Sequence, residues 1–288
     1  MPDLPYPIVD AHLHLWDPTR FPMPWLEGYR QLERPYGLAD YVEQTAGLDI
    51  QAMVYVQVEV APAYALLEAQ WVADRTREDR RLQGMVTYAP LEYGVRVRAF
   101  LEALQPYGQL LKGVRRNVEG ETQVDFASQP DFIRGAQTLA EFDLSCDLCL
   151  RHEQLASHIE LVRACPDTRF MLDHLAKPNV KDHVRDPWWA QMAELAQLPN
   201  VWCKISGIVN EADRRNWSAA DLAPYIQHAL DLFGEDRVAF GGDWPVVLGA
   251  SSYRRWVETL DELTANLSAT AKHKLFAENA RRFYRLTA

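Results

Sequence analysis

Short apolar runs rich in β-branched residues alternate with longer segments of helical period along the whole 288-residue chain. The runs are Ile8 to Trp16, Ala52 to Val60, Leu82 to Leu91, Leu110 to Val118, Leu144 to Arg151, Arg169 to Leu175, Val201 to Val209 and Arg237 to Val246. Between them, Ser218 to Phe233 begins on a Ser N-cap and gathers Leu222, Tyr225, Ile226, Ala229, Leu230 and Phe233 on one face. It stops at Gly234. Tyr64 to Arg80 and Val95 to Leu104 have the same helical character. This alternation, in a chain near the typical length of ~250 residues, predicts an α/β fold: a parallel (β/α)8 TIM barrel in a single domain spanning 1–288. An open doubly wound sheet is the alternative. It is disfavoured because the first run continues as LHLWDPTRFP, without the glycine-rich turn that cradles a dinucleotide.

Composition narrows the function. Hydrophobic residues make up 48% of the chain and charged residues 24%, enough for a large core, and no linker or low-complexity tract marks a boundary. No apolar stretch reaches the ~20 residues needed to span a bilayer, and the start, with Asp3, carries no basic leader pattern. A cytoplasmic protein with no membrane partner is expected. The net charge of -10 excludes nucleic acid as the natural partner, because phosphate binding needs a concentrated basic face. An enzyme acting on a small molecule remains. Cys146 and Cys149 form a C-x-x-C, but residues three apart on a strand face opposite ways. All four cysteines are therefore read as reduced, mostly in the core.

In such a barrel, function gathers at the C-terminal ends of the strands. His12 and His14 lie two apart on the first run, so both rings enter one space, and Asp10 shares their parity. Burying two imidazoles costs desolvation that Val or Ile would avoid. Trp16 sits at the mouth of this strand. The next strand ends bring Glu59, Tyr88, then Arg115, Arg116 and Asn117, then Arg151 and His152. The sixth brings Asp173 and His174, and the eighth Asp243 before Trp244 and Pro245. Taken singly, each has a plain structural explanation, such as a turn-capping Asp or a His bonded to a carbonyl. Three imidazoles and a carboxylate sent to one rim are harder to explain by packing.

Five segments in order, DAHLHLWDP, KGVRRN, DHLAKP, GGDWPV and FAENARRFYRL, resemble the amidohydrolase superfamily, in the amidohydrolase 2 branch that holds sugar lactonases. The chain is most similar to the L-fuconolactonase and L-rhamnonolactonase type, which opens an aldonolactone to its acid. The resemblance implies that His12, His14, His174 and Asp243 are the metal-ligating or catalytic residues, and that the partner is a small sugar lactone. The bridging Lys or Glu of binuclear relatives has no counterpart. Lys112 comes early in its strand, and Arg115 and Arg116 stand at the mouth, where a guanidinium repels a second ion. The expectation is one divalent cation, Zn²⁺, or none.

Lactone hydrolysis then needs Asp243 to take a proton from water while His12 and His14, or an ion they hold, polarise the carbonyl. His174 completes the oxyanion site or shuttles a proton. Arg115, Arg116, His152, Glu59, Trp16 and Trp244 are the expected substrate contacts. Two other readings stay open: a Zn-dependent non-oxidative decarboxylase of the same branch, and a non-catalytic ligand-binding barrel. The loop from Asp17 to Gly37, rich in proline and aromatics, is expected to cover the site or to contact another subunit of a homo-oligomer.

Overall fold

The computed structural model describes residues 6–287; Asp3 lies outside them. Its eight strands are β1 (Ile8–Leu13), β2 (Ile50–Val56), β3 (Leu82–Thr87), β4 (Leu111–Arg115), β5 (Ser145–Leu148), β6 (Phe170–Leu172), β7 (Val201–Ile205) and β8 (Val238–Phe240). Each pairs in parallel with the next, in the order β1 to β8. The barrel closes through two backbone hydrogen bonds beyond β8: Asp243 N–H to His12 O and His14 N–H to Trp244 O, both 2.8 Å. The seam therefore runs through the candidate site itself. It fixes the mutual position of two strand ends without any side chain.

Helices α1 (Leu38–Gln44), α2 (Ala65–Arg75), α3 (Val97–Leu104), α4 (Pro130–Thr138), α5 (Leu155–Ala164), α6 (Trp188–Ala196), α7 (Ala219–Phe233) and α8 (Tyr253–Leu263) follow the strands in turn. The expected caps of α7 are present. Ser218 donates from its N–H and its hydroxyl to the Asp221 carboxylate at 2.8 and 2.9 Å, and Gly234 ends the helix with a positive φ of 67° and its N–H on Leu230 O. After α9 (Ala269–His273), the last helix α10 (Asn279–Tyr284) packs Ala280, Phe283 and Tyr284 against Val9, Ala11, Val54, Val56, Val86, Met171 and Ala239. That contact seals the end of the barrel opposite the site. The strands are shorter than the apolar runs because residues beyond their ends, among them Cys149, Leu175 and Trp244, stay buried beneath the loops.

One parity expectation fails. The register of β1 on β2 shifts between Asp10 and Leu13, three residues of β1 advancing against two of β2. This bulge turns the following residue through the sheet. Asp10 thus leaves the company of His12 and His14. It accepts hydrogen bonds from Tyr41 of α1 and Tyr253 of α8, both at 2.9 Å, and from Gly242 N–H at 2.8 Å. Its role is to tie β1 to its helical surroundings. The four cysteines are free and buried, as read. Among the described residues, no helix is long and apolar enough to cross a membrane.

Candidate active site

His12, His14, His174 and Asp243 meet at the C-terminal rim, all buried. The Nε2 atoms of His14, His12 and His174 lie 3.4, 3.8 and 3.9 Å from Asp243 Oδ1, and those of His12 and His14 are 3.1 Å apart. Backbone strain accompanies the cluster: Glu59, His174 and Asp243 all have φ of 53–54°, a region that costs a residue with a Cβ roughly 1–2 kcal/mol. Gly207 makes room for His174. A Cβ there would stand 2.4 Å from the ring's Nδ1, and its φ of 62° disfavours other residues independently.

The hydrogen bonds determine which face each imidazole offers. Lys204 Nζ has three protons and three acceptors: Asp173 Oδ1 at 2.8 Å, Asp147 Oδ2 at 2.9 Å and His12 Nδ1 at 3.1 Å. Nδ1 of His12 is thereby an acceptor, which puts the ring hydrogen on Nε2. His14 donates from Nδ1 to Val56 O at 2.8 Å, so its Nε2 presents a lone pair. A donor chain results, running from Lys204 through His12 to His14 and the β2 carbonyl. In this state His12 gives its Nε2 hydrogen to His14 Nε2, so His14 is not a donor to the site and His12 becomes one only when that contact opens.

Burial favours the neutral form of His12 and His174. Burial lowers the His174 pKa to about 4, against the pull of Asp243 and Asp173, and its Nδ1 pairs with Ser206 Oγ at 2.8 Å. Burial also pushes His12 well below the ordinary imidazole range; Asp173 opposes this, and Lys204 and His174 reinforce it. For Asp243, burial favours the neutral acid, but the imidazoles of His174, His14 and His12 outweigh it and hold the carboxyl below the usual range. Asp173 is held down in the same sense by Lys204 and His12.

The cluster lies at the base of a cleft of about 850 Å³, lined also by Arg115, Glu59, Trp16 and Trp25. Arg115 donates to Asp173 Oδ2 at 3.2 Å and Gln57 O at 2.6 Å, while its NH1 lies 3.4 Å from His12 Nε2. Its Nε has no protein partner. Glu59 receives Asn117 Nδ2 at 2.5 Å.

Three expected contacts fall elsewhere. Arg116 follows Arg115 and points away, held by Glu92 at 3.1 Å and Glu121 at 2.5 Å. Trp244 is fully buried between Tyr36 and Tyr41, a packing residue and not a wall of the cleft. His152 bonds Lys177 O at 3.0 Å and lines an adjoining cavity. The Asp17–Gly37 loop does cover the cleft. Trp25, Tyr29 and Arg30 line it, and the loop is anchored by Trp25 Nε1 on Val58 O and Trp16 Nε1 on Arg34 O.

Lys204 and Asp147 escaped the sequence reading. The signal was there: a Lys inside VWCKIS and an Asp inside LSCDLC are charges in otherwise apolar strands, and such residues need each other. Lys177 and Glu119, paired at 2.6 Å at the mouth, carry no such mark.

His12, His14 and Asp243 each bring a ligand atom within 4.8 Å of the others. The lone pair on His14 Nε2 and the ionised Asp243 fit one divalent ion; His12 joins them once its hydrogen moves to Nδ1, where Asp173 Oδ1 lies 3.4 Å away. A second group, His12, Asp173 and His174, also brings its ligand atoms together, but its carboxylate is already engaged by Lys204 at 2.8 Å and Arg115 at 3.2 Å.

The model of the family described as Amidohydrolase matches residues 9–286. An L-fucono-1,5-lactonase from Burkholderia multivorans is 32% identical, with 96% of each chain covered. An L-rhamnono-gamma-lactonase from Scheffersomyces stipitis is 22% identical, covering 98% of this chain and 99% of that one. A crystal structure of an amidohydrolase from Burkholderia multivorans with bound Zn superposes with a TM-score of 0.88 at 28% identity, covering 98% of this chain and all of that one. The matched span and the 32% identity over nearly the whole chain show that the chain belongs to the amidohydrolase family.

Proposed function

We propose that the protein hydrolyses a sugar lactone of the L-fuconolactone kind to its acid. The observation that carries this reading is Asp243 Oδ1 facing the Nε2 atoms of three buried imidazoles at the base of a polar cleft. A lactone carbonyl is already electrophilic and its ring oxygen leaves within the same molecule, so polarisation and a placed base suffice.

A water beside Asp243 attacks the carbonyl carbon and gives its proton to the carboxylate. So weak a base accepts the proton only as the new C–O bond forms. The oxyanion is met by the Arg115 guanidinium and by His12 Nε2–H, which turns from His14 to the substrate oxygen on the same side. Collapse breaks the ring C–O bond, and the proton held by Asp243 passes to the leaving alkoxide directly or through His174. Glu59, Arg115 and the cover loop contact the hydroxyls. His12, His14 and Asp243 would hold a Zn²⁺, which would supply Lewis-acid polarisation of the carbonyl. Turnover is expected to survive without the ion, because the base Asp243 and the donors His12 and Arg115 are in place without it.

The test is a pH-indicator screen of aldonolactones with and without chelator. Acid release from a sugar lactone that survives chelation is expected. Release of CO₂ from aromatic acids, abolished by chelation, would favour a Zn-dependent decarboxylase instead. Absence of both activities would leave a ligand-binding barrel.

A further inference from the structure

Beside the reaction cleft lies a second cavity of about 460 Å³. Arg151, Lys177, Asn210, Glu211 and Arg214 line both spaces, so a ligand seated on the histidine cluster reaches into it. The cavity is built from three successive strand-to-helix loops: Arg151 after β5, Lys177 and Lys181 after β6, and Arg214 and Arg215 after β7. Five cations face two carboxylates, Glu211 and Asp213, in a chain of net charge -10. Lys177 is committed to Glu119. Among the described residues, Arg151, Lys181, Arg214 and Arg215 form no ion pair within 4.0 Å, although acidic residues outnumber basic ones 40 to 30 over the chain. The Asn210 amide, on the wall shared by both spaces, is sealed from solvent, and neither its oxygen nor its nitrogen has a protein partner. A cluster of cations without ion-pair partners, partly on the wall shared with the reaction cleft, suits a planar anion that accepts several hydrogen bonds.

We infer that this cavity binds an ionised carboxylate carried by the substrate, so that among sugar lactones the monolactone of a sugar diacid is taken in preference to a neutral aldonolactone. The inference rests on the lactonase reading for the word lactone, and on the cavity alone for the carboxylate. The reacting carbonyl sits at Asp243, and the free carboxylate, carried at the far end of the carbon chain, lies among Arg214, Arg215 and Lys181. Hydrolysis then releases a dianion that both spaces hold.

Binding separates this inference from the reaction. Titration calorimetry of the intact protein with D-glucarate and D-gluconate compares a diacid with a monoacid of the same carbon skeleton. The diacid is expected to bind at least tenfold more tightly at low salt. That preference should fall toward unity in Lys181→Gln/Arg215→Gln, whose side chains line only the second cavity, and should persist in Arg215→Lys. Equal affinity for the two acids overturns the inference, as does a preference unchanged in the double variant or no binding of either acid. Hydrolysis of neutral aldonolactones beside equal affinity for the two acids would leave the lactonase reading standing and remove only the diacid. Tight, variant-sensitive glucarate binding with no lactone turnover would do the reverse.

Discussion

Lys204 is the fully buried cation on which the site's hydrogen-bond order depends. Replacing it with Met keeps most of the volume and removes the charge. Asp147 then keeps only Tyr284 Oη, at 2.6 Å, while its Oδ1 already lacks a partner. Asp173 keeps Arg115 and His12. Removing one member of a buried ion pair costs about 3–5 kcal/mol, because the survivor's charge is left uncompensated. Asp147 has an escape. Burial pushes its pKa up to about 6 even against Lys204, so loss of the lysine lets it protonate near neutrality and caps the cost near the lower figure. About 3 kcal/mol in a chain of this length is a fall of about 5 °C in Tm. Urea denaturation at neutral pH, followed by tryptophan fluorescence, should show the loss. The double variant Lys204→Met/Asp147→Asn should recover at least half of it. Activity should fall in both, because His12 Nδ1 loses its donor and the ring is free to move its hydrogen away from the site. A single variant within about 0.5 kcal/mol of the parent, or a double variant no better than the single, would refute this account of the network.

Two further outcomes are expected. Burial raises the Glu68 carboxyl from 4.5 to about 7, against hydrogen bonds from Tyr55 Oη and Val58 N–H. Between pH 4.5 and 7 the unfolded chain has therefore lost a proton that the folded chain retains, and stability falls as pH rises through that window, by about 3 kcal/mol, before levelling off. Glu68→Gln, measured by denaturation at pH 5 and pH 8, should remove most of this difference and be the more stable protein at pH 8; an unchanged difference would place the charge elsewhere. Gly207→Ala puts a Cβ against the His174 ring and forces a left-handed alanine. About 1–2 kcal/mol of backbone strain, together with displacement of His174, should lower kcat by tenfold or more, and normal turnover in that variant would show that the ring position does not matter.

What the sequence discloses depends on how local the cause is. The barrel is legible because apolar runs and helical segments alternate over the whole length, and α7 carries its own start and stop in Ser218 and Gly234. His12, His14, His174 and Asp243 are legible because polar residues at apolar strand ends are expensive without a purpose. The role of Asp10 is not, since one bulge in β1 reverses its side and no residue type announces that bulge. Arg115 and Arg116 are indistinguishable as neighbours in KGVRRN, and only the strand register separates the inward guanidinium from the one held by Glu92. Trp244 reads as a mouth residue but is enclosed by aromatics from α1 and the cover loop, partners far away in the chain. The imidazole tautomers are the least legible of all. They follow from Lys204 and from a backbone carbonyl of β2, and neither lies near the histidines in sequence.

The central claim is that Asp243 takes the proton of the attacking water. Asp243→Asn preserves size and leaves an amide among the imidazoles, so the fold should persist. The decisive measurement is initial-rate acid release from the best aldonolactone or diacid monolactone, on chelated enzyme, with Tm recorded on the same samples. We predict a loss of at least a thousandfold in kcat, with Tm within a few degrees of the parent. Full turnover by a folded Asp243→Asn protein would contradict the mechanism and move the base to another residue of the cluster.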